Sequence, residues 1–246
     1  MGLAMALLAL LFAVNLFQLT APGPAHRAIR RAVASLTEID SLLAVQGPSL
    51  RQEAEASSGE ELSLPGYPLD VPLSPQEALQ PPETLRDLVL DRSAEQVYEE
   101  GSAAFREEGE SAGSSRLSVQ GAVRTGLGFL TAGNHDSLRW TTAVLAVVSG
   151  VAAAALILLT RGYGRLIALG GAVAAAALLF LLLTAAVRLA LGIAAGISGD
   201  YITVQLLDLA KGAAWMPLRN GIAFSGLGLA LLALGLLGSS MARPRL

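Results

Sequence analysis

Four long stretches without an ionisable side chain govern what this chain can become: Met1–Ala25, Trp140–Thr160, Leu166–Val187 and Asn220–Ala242, of 25, 21, 22 and 23 residues. A helix needs ~20 apolar residues to cross a hydrocarbon core of ~30 Å, so each stretch is long enough to span. A soluble chain of 246 residues has too little polar surface to cover four such helices. Only 15% of the residues are charged, and 28 of those 37 lie between Arg27 and Arg139. The patterning predicts an all-α membrane protein with four transmembrane helices, at 1–20, 140–161, 165–188 and 219–242. A helical extracytoplasmic lobe, 21–139, is inserted between the first and second spans, and 189–218 is read as an extracytoplasmic amphipathic segment.

The first span competes with a cleaved signal peptide. Its apolar run from Leu3 to Phe17 is at the long end for a signal core, and no Lys or Arg precedes it, which favours a retained anchor, although Gly23-Pro24-Ala25 resembles a cleavage site. Orientation follows from the short basic segments, Arg161–Arg165 and Arg243–Arg245, which hold four arginines and no acid and are therefore expected in the cytoplasm. Both termini then fall inside and 21–139 outside. Arg27, Arg30 and Arg31 oppose this assignment, but they begin a long loop, where the rule is weak. The ratio of 16 Arg to one Lys suggests a GC-rich prokaryotic gene and hence a plasma-membrane location.

The 21–139 block carries ten Arg and eighteen acids, net −8, against +5 for the rest. Its densest acidic group, Glu99, Glu100, Glu107, Glu108 and Glu110, lacks the alternating ligands and central Gly of a calcium loop and reads as a solvated helix face. Apolar residues at three- and four-residue steps predict a helix from about Arg27 to Val45, ended by Gly47-Pro48. A second starts at Pro82 and runs towards Phe105, and a third opens at Ser118 and lasts until Gly133-Asn134, with Asp136 as cap of the second span. Seven of the eleven prolines fall between Pro48 and Pro82; this density is taken to forbid a helix or a central strand, and 61–82 is read as a surface connector. The alternative is a strap that lays Leu64, Tyr67, Leu69, Val71 and Leu73 across the helical domain or a partner. Gly109–Ser115 is expected as a flexible spacer.

Beyond Arg188, placed at headgroup depth, the sequence stays apolar through Ile197, so that piece either lies flat in the interface or is covered by the 21–139 block. The two extracytoplasmic segments are expected to pack together, with Trp140 and Trp215 as interfacial anchors.

Chemistry is sparse. The absence of cysteine excludes disulfides, thiolate metal sites and thiol nucleophiles. The two histidines, His26 and His135, stand at opposite ends of the outer block and are read as surface residues. No catalytic, phosphate-binding or nucleic-acid-binding motif occurs, so no catalytic, cofactor or metal residue is assigned and no nucleic-acid partner is expected. Four spans with a large first outer loop form a layout similar to that of tetraspanins and claudins, but the missing loop cysteines exclude both. Inside the spans, Asn15, Gln18, Ser149, Thr184 and Ser225 are expected in interhelical hydrogen bonds, and Ala9/Ala13, Gly150/Ala154, Gly170/Ala174 and Gly226/Ala230 in close helix contact. The resulting expectation is a non-catalytic scaffold or interaction subunit of a membrane or envelope complex, embedded in the bilayer and joined to a protein partner or to further copies of itself. A small-molecule transporter or channel subunit and a ligand-sensing subunit are the alternatives.

Overall fold

Long runs of Leu and Ala bury no polar side chain and lose little rotamer freedom in a helix, and they form helices here despite the glycines among them. A computed structural model describes residues 1–57, 59–105, 126–197 and 201–241, without the side chains of 201, 202 and 206. Four of its helices are long and apolar enough to cross a membrane: α1 (Gly2–Leu19), α6 (Ala132–Leu159), α7 (Gly164–Ile197) and α9 (Trp215–Met241). The remaining elements are α2 (Pro22–Thr37), α3 (Ile39–Ala56), β1 (Leu62–Ser63), β2 (Pro72–Leu73), α4 (Pro75–Ala78), α5 (Pro82–Glu100) and α8 (Tyr201–Ala213). The chain divides into two compact units. One comprises Met1–Leu19, Asp136–Ile197 and Ala210–Leu246; the other comprises Thr20–His135 and Ser198–Leu209.

In the first unit α7 and α9 run antiparallel in close contact. Gly221 faces Phe180 and Leu181, Gly228 faces Ala174, and Gly235 faces Ile167. The glycines recur every seven residues, the step that keeps one helix seam against its partner. A Cβ added to Gly170 would stand 2.6 Å from the Leu232 amide nitrogen, and one added to Gly235 would stand 2.9 Å from that of Ile167. Of the four expected small-residue pairs, Gly170/Ala174 is thus used. Gly226/Ala230 and Gly150/Ala154 are not, since a Cβ on Gly226 or Gly150 would meet nothing within 4 Å. The heptad of glycines outcompetes the four-step pairs because only it stays on the facing seam. Helix α1 joins through Leu11, packed with Ala177 and Phe180, and Phe12 meets the edge of Phe180 at 4.9 Å. Helix α6 covers only a narrow stripe, Thr142, Leu145, Ser149, Ala152 and Leu156, and just 6% of its most apolar window is buried.

In the second unit, Pro22 opens α2, where its missing N–H costs nothing, and Ala25, Ile29, Ala32 and Val33 form the buried stripe. The expected single helix to Val45 instead breaks at Glu38, whose φ of 43° lies in the left-handed region. A non-glycine residue there costs about 1–2 kcal/mol. The turn sends Ile39 into full burial, and the amides of Ser41 and Leu42 both donate to the Glu38 carbonyl to start α3. Helix α3 then passes through Gly47-Pro48, contrary to expectation. An internal proline costs about 3 kcal/mol, offset by burying Leu43 and Leu50 on one face at about 1.5–3 kcal/mol each.

The proline-rich stretch is a strap and not a connector. Leu64, Tyr67, Leu69, Val71 and Leu73 are each no more than 2% exposed, while Pro65, Asp70 and Pro72 point outward. From Tyr67 to Leu73 the buried residues Tyr67, Leu69, Val71 and Leu73 alternate with Pro68, Asp70 and Pro72, which puts them on one face of an extended chain. β1 and β2 pair antiparallel, Leu62 with Leu73 and Ser63 with Pro72, and Leu69 bridges to Phe105. Proline density does not exclude helix either. Pro75 occupies the first turn of α4, and Ser74 with Glu77 completes a capping box: the Ser74 amide donates to Glu77 Oε2 at 2.9 Å and the Glu77 amide to Ser74 Oγ at 3.4 Å.

Helix α5 starts at Pro82 as expected, but stops at Glu100. Gly101, with φ of 68°, leads into one 3₁₀ turn, which delivers Phe105 to the strap. Leu127 and Leu130 pack on the core of this unit; Ser118, Val119 and Val123 of the expected third helix lie outside the described residues, as do Gly109–Ser115, Glu107, Glu108, Glu110 and the C-terminal arginines. Gly133-Asn134 does not end a helix but falls in the first turn of α6. Its cap is Thr131, whose Oγ1 accepts from the Asn134 amide, so the expected cap, Asp136, sits inside the helix. Leu209 of α8 packs against the same core. Helix α7 runs unbroken past Arg188 to Ile197, and Leu189, Ile193 and Ile197 remain exposed.

Candidate functional site

Polar side chains inside the spans are stabilised by hydrogen bonds to neighbouring helices or to their own backbone. Asn15 and Gln18 are three residues apart on α1 and present one face to α9. There Asn220 Nδ2 donates one hydrogen to Asn15 Oδ1 and the other to Gln18 Oε1, both at 2.9 Å. Asn15 Nδ2 donates to the Leu11 carbonyl at 2.7 Å. These amides form an interhelical clasp, as expected for Asn15 and Gln18. Asn220, the bounding residue of the last uncharged stretch, is the partner that sequence alone did not single out. Thr184 departs from expectation: its hydroxyl donates within α7 to the Phe180 carbonyl at 2.8 Å. The hydroxyls of Ser149 and Ser225 are buried with no hydrogen-bond partner among the described residues. A hollow of about 120 Å³ lies among α1, α7 and α9, lined by apolar side chains that include Leu7, Leu11, Val173 and Phe224. Neither Asn15 nor Thr184 lines it.

The histidines are not simple surface residues. The His26 and Tyr98 rings stand nearly perpendicular, with centroids 4.8 Å apart, and His26 Nε2 is buried without a partner among the described residues. The Tyr98 hydroxyl donates to the Thr20 carbonyl at 3.1 Å, and Thr20 Oγ1 lies 3.3 Å from His135 Nδ1. Thr20 and His135, 115 positions apart in the chain, are thus in direct contact. Among the described residues no group of three or more His, Cys, Asp or Glu side chains is placed to hold a metal.

A concavity of about 750 Å³ belongs to the Thr20–His135 unit and its Ser198–Leu209 segment. Helix α2 supplies Arg31, Ala34 and Ser35, the left-handed corner supplies Glu38, α3 supplies Asp40 and Ser41, α5 supplies Arg86, and α8 supplies Gln205, Asp208 and Leu209. Arg86 Nε donates to Asp40 Oδ1 at 2.6 Å, and this pair also borders a neighbouring hollow of about 380 Å³ lined by Leu43, Pro48, Arg51 and Pro82. Asp40 is largely exposed, so the pair contributes at most about 1 kcal/mol and is free to exchange partners. The backbone break at Glu38 creates the cleft, since a continuous helix would carry Asp40 and Ser41 away from Ser35. Sequence reasoning missed the site because no periodic signal marks that break.

Behind the cleft the unit is fastened by charge-assisted contacts. Arg30 bridges Asp87 at 2.5 Å and Asp91 at 2.6 Å. Arg92 grips both oxygens of Glu77, at 2.6 and 3.1 Å, and donates to the Pro72 carbonyl of the strap at 2.5 Å. The Ser74 amide, together with Arg92, holds the Glu77 carboxyl below the usual carboxylate range, against a desolvation that acts in the other direction. Burial pushes the Tyr67 phenol above its ordinary value despite hydrogen bonds with Ser93 and Thr37. Ser93 already donates to the Val89 carbonyl at 2.6 Å, so Tyr67 is the donor in the 2.9 Å bond between them. No known family model matches this chain, and neither a curated protein nor a solved structure is similar to it.

Proposed function

We propose that this chain is a non-catalytic interaction subunit of a prokaryotic plasma-membrane complex, in which the cleft between Arg31 and Asp208 binds a polar segment of another membrane or envelope component or of a second copy. The single observation that carries this reading is the cleft itself: about 750 Å³, open, and bordered by both signs of charge. An open surface bordered by exchangeable charged side chains suits a partner's chain better than a small ligand, which is held in closed pockets. The transporter reading is favoured less, because among the described residues Asn15 and Gln18 pair with Asn220 and the hollow of about 120 Å³ among α1, α7 and α9 is lined by apolar side chains. In the proposed orientation both termini are cytoplasmic and 21–139 is outside. The basic segments Arg161–Arg165 and Arg243–Arg245 support it.

A photo-crosslinking residue at Ser41, inside the cleft, and another at Glu60, exposed outside it, test the reading in intact cells. A discrete adduct at Ser41 and none at Glu60 is expected, and its mass separates a second copy from a different protein. No adduct at Ser41, or identical adducts at both positions, would overturn the assignment.

A further inference from the structure

Arg188 occupies an unusual position for a charged residue on an apolar helix. Counted from Gly164, it stands ~36 Å along α7 at ~1.5 Å per residue, past a hydrocarbon core of ~30 Å and so at headgroup depth. Its Nη1 donates to the Lys211 carbonyl at 3.0 Å, at the negative end of α8, and its guanidinium carbon lies 5.4 Å from the centre of the Trp215 ring. Among the described residues no acceptor faces its Nε or Nη2, so part of the planar fork is uncommitted. Arg219, exposed, follows Trp215 by one turn of α9 and shares its face. Trp215 is itself 54% exposed, and Leu189 and Ile193, on α7 beside Arg188, are also open. Asp208 stands one turn before Lys211 on α8, whereas no acid lies within four residues of Arg188 or Arg219 along its own helix. The bundle unit contains a single acid, Asp136, against eight Lys and Arg.

We propose that Arg188, Trp215 and Arg219 form a binding site for the phosphodiester headgroup of an anionic phospholipid. Phosphate chemistry follows from the free guanidinium fork beside a second arginine. The lipid source, as opposed to free phosphate, follows from headgroup depth and from the exposed Leu189 and Ile193, which offer an acyl chain apolar contact next to the charges. This site is separate from the cleft assigned to partner binding and stands without it.

The full chain carrying Trp140→Phe, so that Trp215 is the sole indole, is titrated in zwitterionic micelles with phosphatidylglycerol, with phosphatidylcholine and with inorganic phosphate at fixed ionic strength. Phosphatidylglycerol is expected to change Trp215 emission saturably, with a midpoint at least about 10-fold below that of phosphatidylcholine, and inorganic phosphate to leave it unchanged. Arg219→Gln is expected to raise the midpoint about 5-fold, the effect of one basic residue near a charged surface, and Arg188→Gln to abolish the response. If Arg188→Gln loses cooperative unfolding, the midpoint of Arg219→Gln decides the question, because Arg219 takes no part in holding α8. Equal midpoints for the two lipids, or an unchanged midpoint in Arg219→Gln, would overturn the site. An equally strong response to inorganic phosphate would overturn the lipid assignment.

Discussion

Asn220 shows how one side chain can close a membrane interface. Both of its amide hydrogens are used, so Asn220→Leu strips the donor from Asn15 and Gln18 at once. Interhelical hydrogen bonds in membranes are worth about 0.6–2 kcal/mol, and a loss in that range is expected in unfolding of the full chain by a denaturing detergent. Ser225→Ala is the matched control: its buried hydroxyl has no partner among the described residues, so the substitution should leave stability unchanged or raise it. Glu77 gives a pH dependence. Its folded-state pKa is lowered, so its contribution is complete above the ordinary carboxylate range, above about pH 5, and is lost as the pH falls through the lower folded-state value. Glu77→Gln should cost about 1 kcal/mol at neutral pH and flatten the decline in thermal stability below pH 5, as followed by near-ultraviolet circular dichroism. Asn15 and Gln18 were legible as an interhelical pair from their three-residue spacing. The unpaired hydroxyls of Ser149 and Ser225 were not, because a sequence names donors without saying where acceptors fall.

At the scale of elements, the spans were legible since hydrocarbon demands apolar length and admits few other solutions. Which small residues touch was not legible. Gly170→Ala places a methyl against the Leu232 backbone and should separate α7 from α9, costing about 1–3 kcal/mol. Gly226→Ala meets open space and should be neutral or stabilise by up to about 1 kcal/mol through helix propensity. Comparing the two in detergent unfolding checks the heptad assignment; equal losses would contradict it. The strap was misread for a related reason. Linker composition and period-two burial coexist in 62–73, and the choice depends on whether a helical face is available to receive Leu69 and Leu73, a tertiary fact. Glu38 and Pro48 make the same point: burial of Ile39 and Leu50 overrode local preferences that, read alone, end a helix at Val45, whereas α2 stops at Thr37 and α3 runs on to Ala56.

For the whole molecule, charge divides along the same lines as the fold. The unit of Thr20–His135 and Ser198–Leu209 holds nine arginines and nineteen acids, net −10, whereas the bundle unit holds eight cations and one acid. Single cysteines at Ser114 and Gly164 test the proposed orientation, since the chain has no native thiol. An impermeant reagent applied to intact cells should label only Ser114→Cys. Labelling of Gly164→Cys alone would invert the topology.

The Thr20–His135 unit is completed by Ser198–Leu209, a segment made much later in synthesis. About 60 residues separate the two parts, or about 3–12 s of translation at about 5–20 residues per second. During that interval the face that receives Leu209 is open, while α6 and α7 are synthesised. The unit that carries the cleft is therefore completed only after much of the bundle unit has been made, and a nascent chain stalled before Ser198 would display an incomplete surface to chaperones and proteases.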